Sequence, residues 1–421
     1  MQGQGSLLSR IQEATADLRG RALWVIFGCL VCQIGLGYGY VLGPMAGDVI
    51  GELGWTRAMY SGARAPQLIV ASLTSPVVGW LVIRHGSRRI LLGSIVVLAV
   101  AFLLLARLQS LWQLYVLIMA QGLAVTGLGD ITVGQLASEW VKRGRGLALG
   151  IVYTGSNIGG YLMVALAGWI TEIWTWREAF TVMGLGAIGV MLPIAWATVR
   201  RPDRPIELEA VEPGGNRASE APAEYEAPSM SGPEAMRTRS FWILAFSLFT
   251  FFFYFLGILE HLVLFLTDNG MDRAEAFGYF RTALALGIIS KVVLGALADR
   301  VPHERAVQLD YALLATSSIF LTLLPDPTWL WPFVVAYGFA TAARDVVYPL
   351  IITHCFGLAH MAEIYGLLML GLLVGGTTGP VFAAALHDHF GDYDLAFRTF
   401  AVMNVLAAVA LLFVRDERAR R

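Results

Sequence analysis

Twelve stretches of this chain are apolar for long enough to cross a lipid bilayer: residues 22–45, 60–83, 90–107, 112–137, 145–170, 179–198, 241–266, 277–298, 308–324, 329–352, 362–386 and 396–414. A bilayer core about 30 Å thick is spanned by about 20 apolar residues in helical form. Helix is the form that lipid dictates, because an open strand there leaves backbone N–H and C=O groups without partners. The runs also lack the alternation of a lipid-facing barrel. Composition agrees: 57% of residues are apolar and 14% charged, against about 25% charged in soluble domains, and the mean hydropathy is +0.63. The chain reads as an all-α membrane protein with twelve transmembrane helices.

Several function classes drop out on charge and composition. The net charge is −1, with 30 basic and 31 acidic residues, so there is no basic surplus for nucleic acid. Cys29 and Cys32 are spaced like a redox or metal pair, but they sit inside an apolar helix with no second pair, and Cys355 stands apart. No metal and no cofactor are expected. Residues 1–20 are polar and charged, and the first apolar run is long enough to stay in the membrane, so no cleaved leader is expected.

Loop charges set the orientation. With the N-terminus inside, the inner loops and tails hold 21 Lys and Arg residues and the outer loops six, namely Arg57, Arg64, Arg107, Arg177, Arg273 and Arg398. Lys and Arg accumulate on the cytoplasmic side, so both termini are expected there, in the plasma (bacterial inner) membrane. The stretch 199–240 is rich in Pro, Glu, Ala and Gly with little to bury, and reads as a largely disordered cytoplasmic linker. The chain thus divides into a tail (1–21), six spans (22–198), the linker (199–240), six spans (241–414) and a second tail (415–421).

The halves also resemble each other. GWLVIRHGSRR (79–89) follows the second span and GALADRVPHER (295–305) follows the eighth, with Gly79/Gly295, Arg84/Arg300 and Arg89/Arg305 in register. Duplication around a central linker is a transporter signature, with substrate held near the midplane between the repeats.

At these residues the chain resembles the major facilitator superfamily, whose loop motif reads Gly-x-x-x-Asp-Arg-x-Gly-Arg-Arg. Gly79, Arg84, Gly86 and Arg88 match it in the first half, with Arg89 directly after, and Gly295, Asp299 and Arg300 match it in the second. Ile83 stands where the first copy would carry the acid. EWVKRGRGLALGIVYTGSNIG (139–159), HLVLFLTDNG (261–270) and GIISKVVLG (287–295) are similar to the monocarboxylate and oxalate/formate branch, which normally carries Arg at the position of Lys291. The resemblance implies two pseudo-symmetric six-helix bundles and secondary transport by alternating access. The substrate it implies is a small organic anion, most simply a monocarboxylate. Asp130, the most deeply placed acid, leads us to expect a proton to move with it, and a monomer is expected.

Ionisable side chains at membrane depth cost about 2.5–3.5 kcal/mol on insertion scales and mark function. Lys291 lies in an otherwise apolar run and is the expected carboxylate ligand, the plain alternative being a lysine snorkelling to the headgroups. Lysine in place of arginine gives a point charge rather than a planar fork. Asp130 and Arg344, 214 residues apart, are near-equivalent by the 216-residue repeat, and could pair across the halves as a gate or a proton-linked site. Asp345 is rotated about 100° from Arg344 on an ideal helix and is expected to face elsewhere. Arg281, Glu260 and His261 are further candidates for gating or coupling. The oxalate transporters of the branch carry a second cation seven residues after a Tyr-Gly pair. Tyr365-Gly366 is followed at that spacing by Leu372, so with Arg344 neutralised by Asp130, Lys291 would be the one free cation, suiting a monoanion.

By analogy Tyr38, Tyr40, Tyr153, Asn157 and Tyr348 lie on cavity-lining helices. Tyr and Asn can bond a carboxylate while packing against an apolar tail, and plain helix packing is the competing reading for each. The glycines at 155, 159, 160, 371, 375, 376 and 379 suit close helix contact. Other classes stay in view: an anion exchanger of oxalate/formate type, an exporter of hydrophobic solutes, a non-transporting receptor, and an intramembrane enzyme. The last would need more than His387, His389, His354 and His360, which fall at span ends with no HExxH or carboxylate pair nearby.

Overall fold

A computed structural model describes residues 20–55, 59–60, 62–202, 229–324 and 326–418; the N-terminal tail and most of the linker lie outside the described residues. Among the described residues there are twelve long helical rods, a further helix Leu42–Leu53 after the first of them, and no strand. The first six are α1 (Arg21–Ile34, continued by a 3-10 segment, Gly35–Tyr40), α2 (Arg64–His85), α3 (Ser87–Leu105), α4a and α4b (Leu111–Leu128 and Asp130–Trp140), α5 (Arg145–Ile173) and α6 (Trp176–Gly186, a π segment Ala187–Met191, and Leu192–Thr198). The second six are α7 (Arg239–Asp268), α8 (Arg273–Ala298), α9 (His303–Leu321), α10 (Leu330–Phe356), α11a and α11b (Met361–Leu368 and Leu370–Phe390) and α12 (Asp394–Leu411).

Eleven of these rods, among the described residues, have the length and apolarity to cross a membrane. The exception is α9, which is 19 residues long but carries Glu304, Arg305 and Asp310. It packs against α10 and α12 as part of the second bundle. The segment 199–240 differs from the sequence expectation at its end. Residues 229–239 are docked rather than free: Met230 is buried and donates its backbone N–H to Phe356 at 2.8 Å. Ser231 and Glu234 form a capping box on the short turn Gly232–Ala235, the sequence device that stops this polar stretch from staying open. The C-terminal tail is tied down too, since Ser240 donates its hydroxyl to Glu417 at 2.5 Å.

Helix ends alternate between a basic face, holding Arg21, the Gly86 and Gly144 turns and the 199–202 segment, and the opposite face. The close backbone approaches between the bundles lie toward the basic face. At Gly295 of α8 an added Cβ would overlap the Gly146 carbonyl of α5, and at Gly79 of α2 it would overlap the Ala362 carbonyl of α11a. The two glycines related by the 216-residue repeat therefore do the same job, letting one bundle's helix touch the other's backbone.

Candidate functional site

The site begins with a break in a helix. Gly129, with φ −79 and ψ −165, interrupts α4 at mid-span. A Cβ there would come 3.0 Å from the Val125 carbonyl, so a side chain is disfavoured at the break. The interruption puts Asp130 at the N-terminus of α4b, where the helix dipole favours negative charge. Discontinuous helices are where transporters place charged sites.

Four charged residues meet at this depth. Arg344 of α10 donates from Nη1 to Asp130 Oδ2 at 3.2 Å and to the Tyr365 hydroxyl at 3.1 Å. Its Nη2 faces Asp345 Oδ1 at 2.8 Å, and its guanidinium lies over the Phe251 and Phe252 rings at 4.9 and 5.1 Å. Lys291 of α8 reaches Asp345 Oδ2 at 2.7 Å. The same Nζ donates to the Tyr153 carbonyl and Ser156 Oγ, both at 2.9 Å, and to Asn157 Oδ1 at 2.8 Å. An ammonium has three N–H donors, so four acceptors already compete for them. Lys291 is only 2% exposed and Arg344 8%. Charges so deep are tolerated only when paired and hydrogen-bonded, and both cations are.

Above this floor lies a cavity of about 300 Å³. Its charged lining residues are Asp130, Lys291, Arg344 and Asp345, and its walls include Leu36, Leu68, Val125, Phe251, Phe255 and Leu284. The wall residues come from the middle of the helices and from the ends remote from the basic face. On the basic side the bundles are shut. Asp299 accepts from the Gly146 and Leu147 backbone N–H groups at 2.6 and 2.9 Å, satisfying orphan donors at the α5 N-terminus. Burial pushes the Asp299 carboxyl above its usual range despite those donors. Gln135 of α4b does the equivalent for α11a, accepting from the Ala362 N–H at 3.2 Å. The neutral Gln135 thus caps across the interface in the half where Ile83 replaces the motif's acid.

The other sequence candidates separate cleanly. Tyr40 and Asn157 line the cavity, and Asn157 also donates to the Leu284 carbonyl at 3.4 Å. Tyr153 is buried beneath it, giving its hydroxyl to the Asp130 carbonyl at 3.1 Å. Tyr38 and Tyr348 do not line it. Tyr38 is buried and donates to the Met183 carbonyl in α6. Tyr348 bonds Ser247 and Tyr311 at 2.6 and 2.8 Å inside the second bundle. Both face within their own bundle, so a tyrosine on the right helix is on the wrong side of it.

Arg281 is exposed and sits in a separate depression with Tyr279, Thr282 and Trp331. Glu260 is exposed near the far end of α7. His261 bonds the Tyr393 hydroxyl and the Pro380 carbonyl, each at 3.1 Å. None of these three lines the cavity. In the loop motif, Arg84 lies over Trp80 at 5.0 Å, Arg88 donates to the Trp196 carbonyl at 2.9 Å, and Arg89 and Arg300 are exposed. Gly86 takes a positive φ of +86 at the α2–α3 turn, a conformation that favours glycine.

Asp345 corrects the sequence reading. The expectation that it faces elsewhere fails, because it bridges both cations. The 100° rule places Cα–Cβ stems, whereas the long Arg344 arm folds back until its guanidinium meets the neighbouring carboxylate. Lys291 is correspondingly not a free cation. Ser156, Tyr365 and Gln33 were also missed. Gln33 Nε2 donates to Asp130 Oδ1 at 3.4 Å, and a buried amide in an apolar helix was the signal that could have found it.

The chain matches the Major Facilitator Superfamily over residues 26–360. It is 25% identical over 342 residues to monocarboxylate transporter 13 of Bos taurus, covering 78% of this chain and 74% of that one. It is 24% identical over 393 residues to a gallate transporter of Pseudomonas putida, covering 82% and 86%. The structure of the human organic anion transporter MFSD10 superposes with a TM-score of 0.71 at 14% identity, covering 93% of this chain and 100% of that one. Paired six-helix bundles, a charged mid-membrane cavity and a family match across most of the sequence converge: the chain belongs to the Major Facilitator Superfamily and is a membrane transporter, not an enzyme.

Proposed function

We propose that this transporter moves a small organic monoanion, a monocarboxylate, together with a proton, its two bundles rocking to expose the cavity to one side and then the other. The charge content of the cavity carries the reading. Lys291 and Arg344 supply two positive charges and Asp130 and Asp345 two negative ones, so the empty site is balanced with all four ionised. A carboxylate that enters alone leaves an uncompensated charge in a poorly solvated place, at an effective penalty of several kcal/mol. A proton entering with it removes that penalty. The names of the bovine and Pseudomonas relatives support an organic acid as cargo.

The interface supports rocking as well. The Asp130–Arg344 pair joins α4b to α10 across the halves at 3.2 Å, and Lys291 reaches α5. Opening the basic face must break these contacts along with those of Asp299 and Gln135. The transporter acts as a monomer in the plasma membrane on this reading.

The test is uptake. Proteoliposomes under an inward proton gradient are given labelled lactate, pyruvate, acetate, formate and oxalate. A monocarboxylate should accumulate above equilibrium, a protonophore should abolish the accumulation, and a membrane voltage should hardly change it. Exchange of oxalate indifferent to the gradient would favour an anion exchanger instead.

The orientation has its own check. Cysteine placed at Ser219, in the linker, should react with an impermeant maleimide only from the cytoplasmic side. The native background is low, since Cys29, Cys32 and Cys355 are all buried. Labelling from outside would overturn the proposed topology.

A further inference from the structure

One carboxylate already sits where a substrate carboxylate would be drawn. Asp345 uses Oδ2 on Lys291 at 2.7 Å and Oδ1 on Arg344 at 2.8 Å. Its two oxygens are thus spread over the two cations lining the cavity, and its side chain is 17% exposed, facing that space. A carboxylate from a cargo molecule must share these cations with a resident that the chain cannot release. A cargo with a second carboxylate meets the resident's charge twice over. Lys291 and Arg344 are the only cations that line the cavity among the described residues, and Leu372 of α11b adds none.

We propose that Asp345 is the residue that restricts this site to monoanions. The inference rests on the organic-anion reading above, and deepens it by assigning charge selectivity to one side chain. Coulomb energy is proportional to the product of the charges, so each unit of cargo charge feels Asp345 separately. Removing that charge should therefore raise the affinity of a dianion by about the square of the factor gained by a monoanion. The neighbours that set the remaining field are Lys291 and Arg344 as cations, Asp130 across the interface and Asp310 on α9 as acids, and the Tyr153 and Tyr365 hydroxyls.

Asp345→Asn is a fair probe because the two cations keep other partners. Lys291 retains the Tyr153, Ser156 and Asn157 oxygens, and Arg344 retains Asp130 and Tyr365. Benzoate and phthalate give the same apolar body with one and two carboxylates, and aromatic walls at Phe251 and Phe255 suit that body. Binding is measured on the purified full chain at about pH 8, where both probes are fully ionised, for wild type, Asp345→Asn and Asp345→Glu.

The wild type and Asp345→Glu should prefer benzoate. In Asp345→Asn benzoate should bind about tenfold tighter and phthalate about a hundredfold tighter, shifting their ratio about tenfold, since each tenfold step is about 1.4 kcal/mol. If benzoate binds but the ratio in Asp345→Asn stays within about twofold of wild type, the assignment to Asp345 is wrong while the anion reading stands. If Asp345→Glu shifts the ratio as Asn does, charge is not the cause and the proposal is again overturned. If neither probe binds wild type or Asp345→Asn, the anion reading fails and takes this inference with it.

Discussion

Lys291→Ala should weaken the binding of a transported monocarboxylate by at least about a hundredfold while the protein still folds. The substitution removes the ammonium that faces the cavity and, with it, contacts to Asp345, Tyr153, Ser156 and Asn157. Truncating one partner of a buried, hydrogen-bonded charge pair between binder and ligand costs about 2–5 kcal/mol, and about 1.4 kcal/mol is tenfold in affinity. Asp345 keeps Arg344 as a partner at 2.8 Å, which limits the damage to the fold. Lys291→Arg should retain much of the binding, because the guanidinium restores the charge. Its planar fork must nevertheless fit a pocket shaped around a point donor. Titration of the purified variants with the substrate identified by uptake checks this, with elution volume as the folding control. Unchanged affinity in the Ala variant would remove Lys291 from the site.

Asp130→Asn should separate transport from its driving force. Ionised Asp130 holds Arg344 across the halves at 3.2 Å. On the proposed mechanism, protonation weakens that pair and lets the basic face open while the anion rests near Lys291. Asparagine keeps the shape and one acceptor oxygen for Arg344 or Gln33, and it fixes the neutral state. Counterflow exchange should therefore persist, while proton-driven accumulation falls to the level of a protonophore-treated control. Accumulation in the Asn variant as steep as in wild type would show that the proton is carried elsewhere. His261 is the first place to look, held by Tyr393 and the Pro380 carbonyl.

How far these positions could be read from the chain depends on what kind of property each is. The spans were legible because lipid acts on a run of about 20 contiguous residues, a quantity any window of sequence contains. Even the near-miss makes sense in those terms, since α9 falls short through Glu304, Arg305 and Asp310. Lys291, Asp130 and Arg344 stood out for the same reason: an ion in an apolar run is anomalous wherever its partner lies. The duplicated loops showed that Gly79 and Gly295 are equivalent, but not that each touches the opposite bundle.

The partners themselves were decided by the tertiary structure. Asp345 follows Arg344 in the chain, and helix geometry alone turns it away, yet side-chain reach brings its carboxylate onto both Arg344 and Lys291. Tyr348 and Tyr38 sit on cavity helices but turn inward to Ser247, Tyr311 and Met183. Gln135 caps a helix that begins 226 positions later, at Met361. Hydropathy sums along contiguous residues and so is local. Which oxygen an ammonium finds depends on helix rotation and arm length, with the partner often far away in sequence, and only the packed bundles set those.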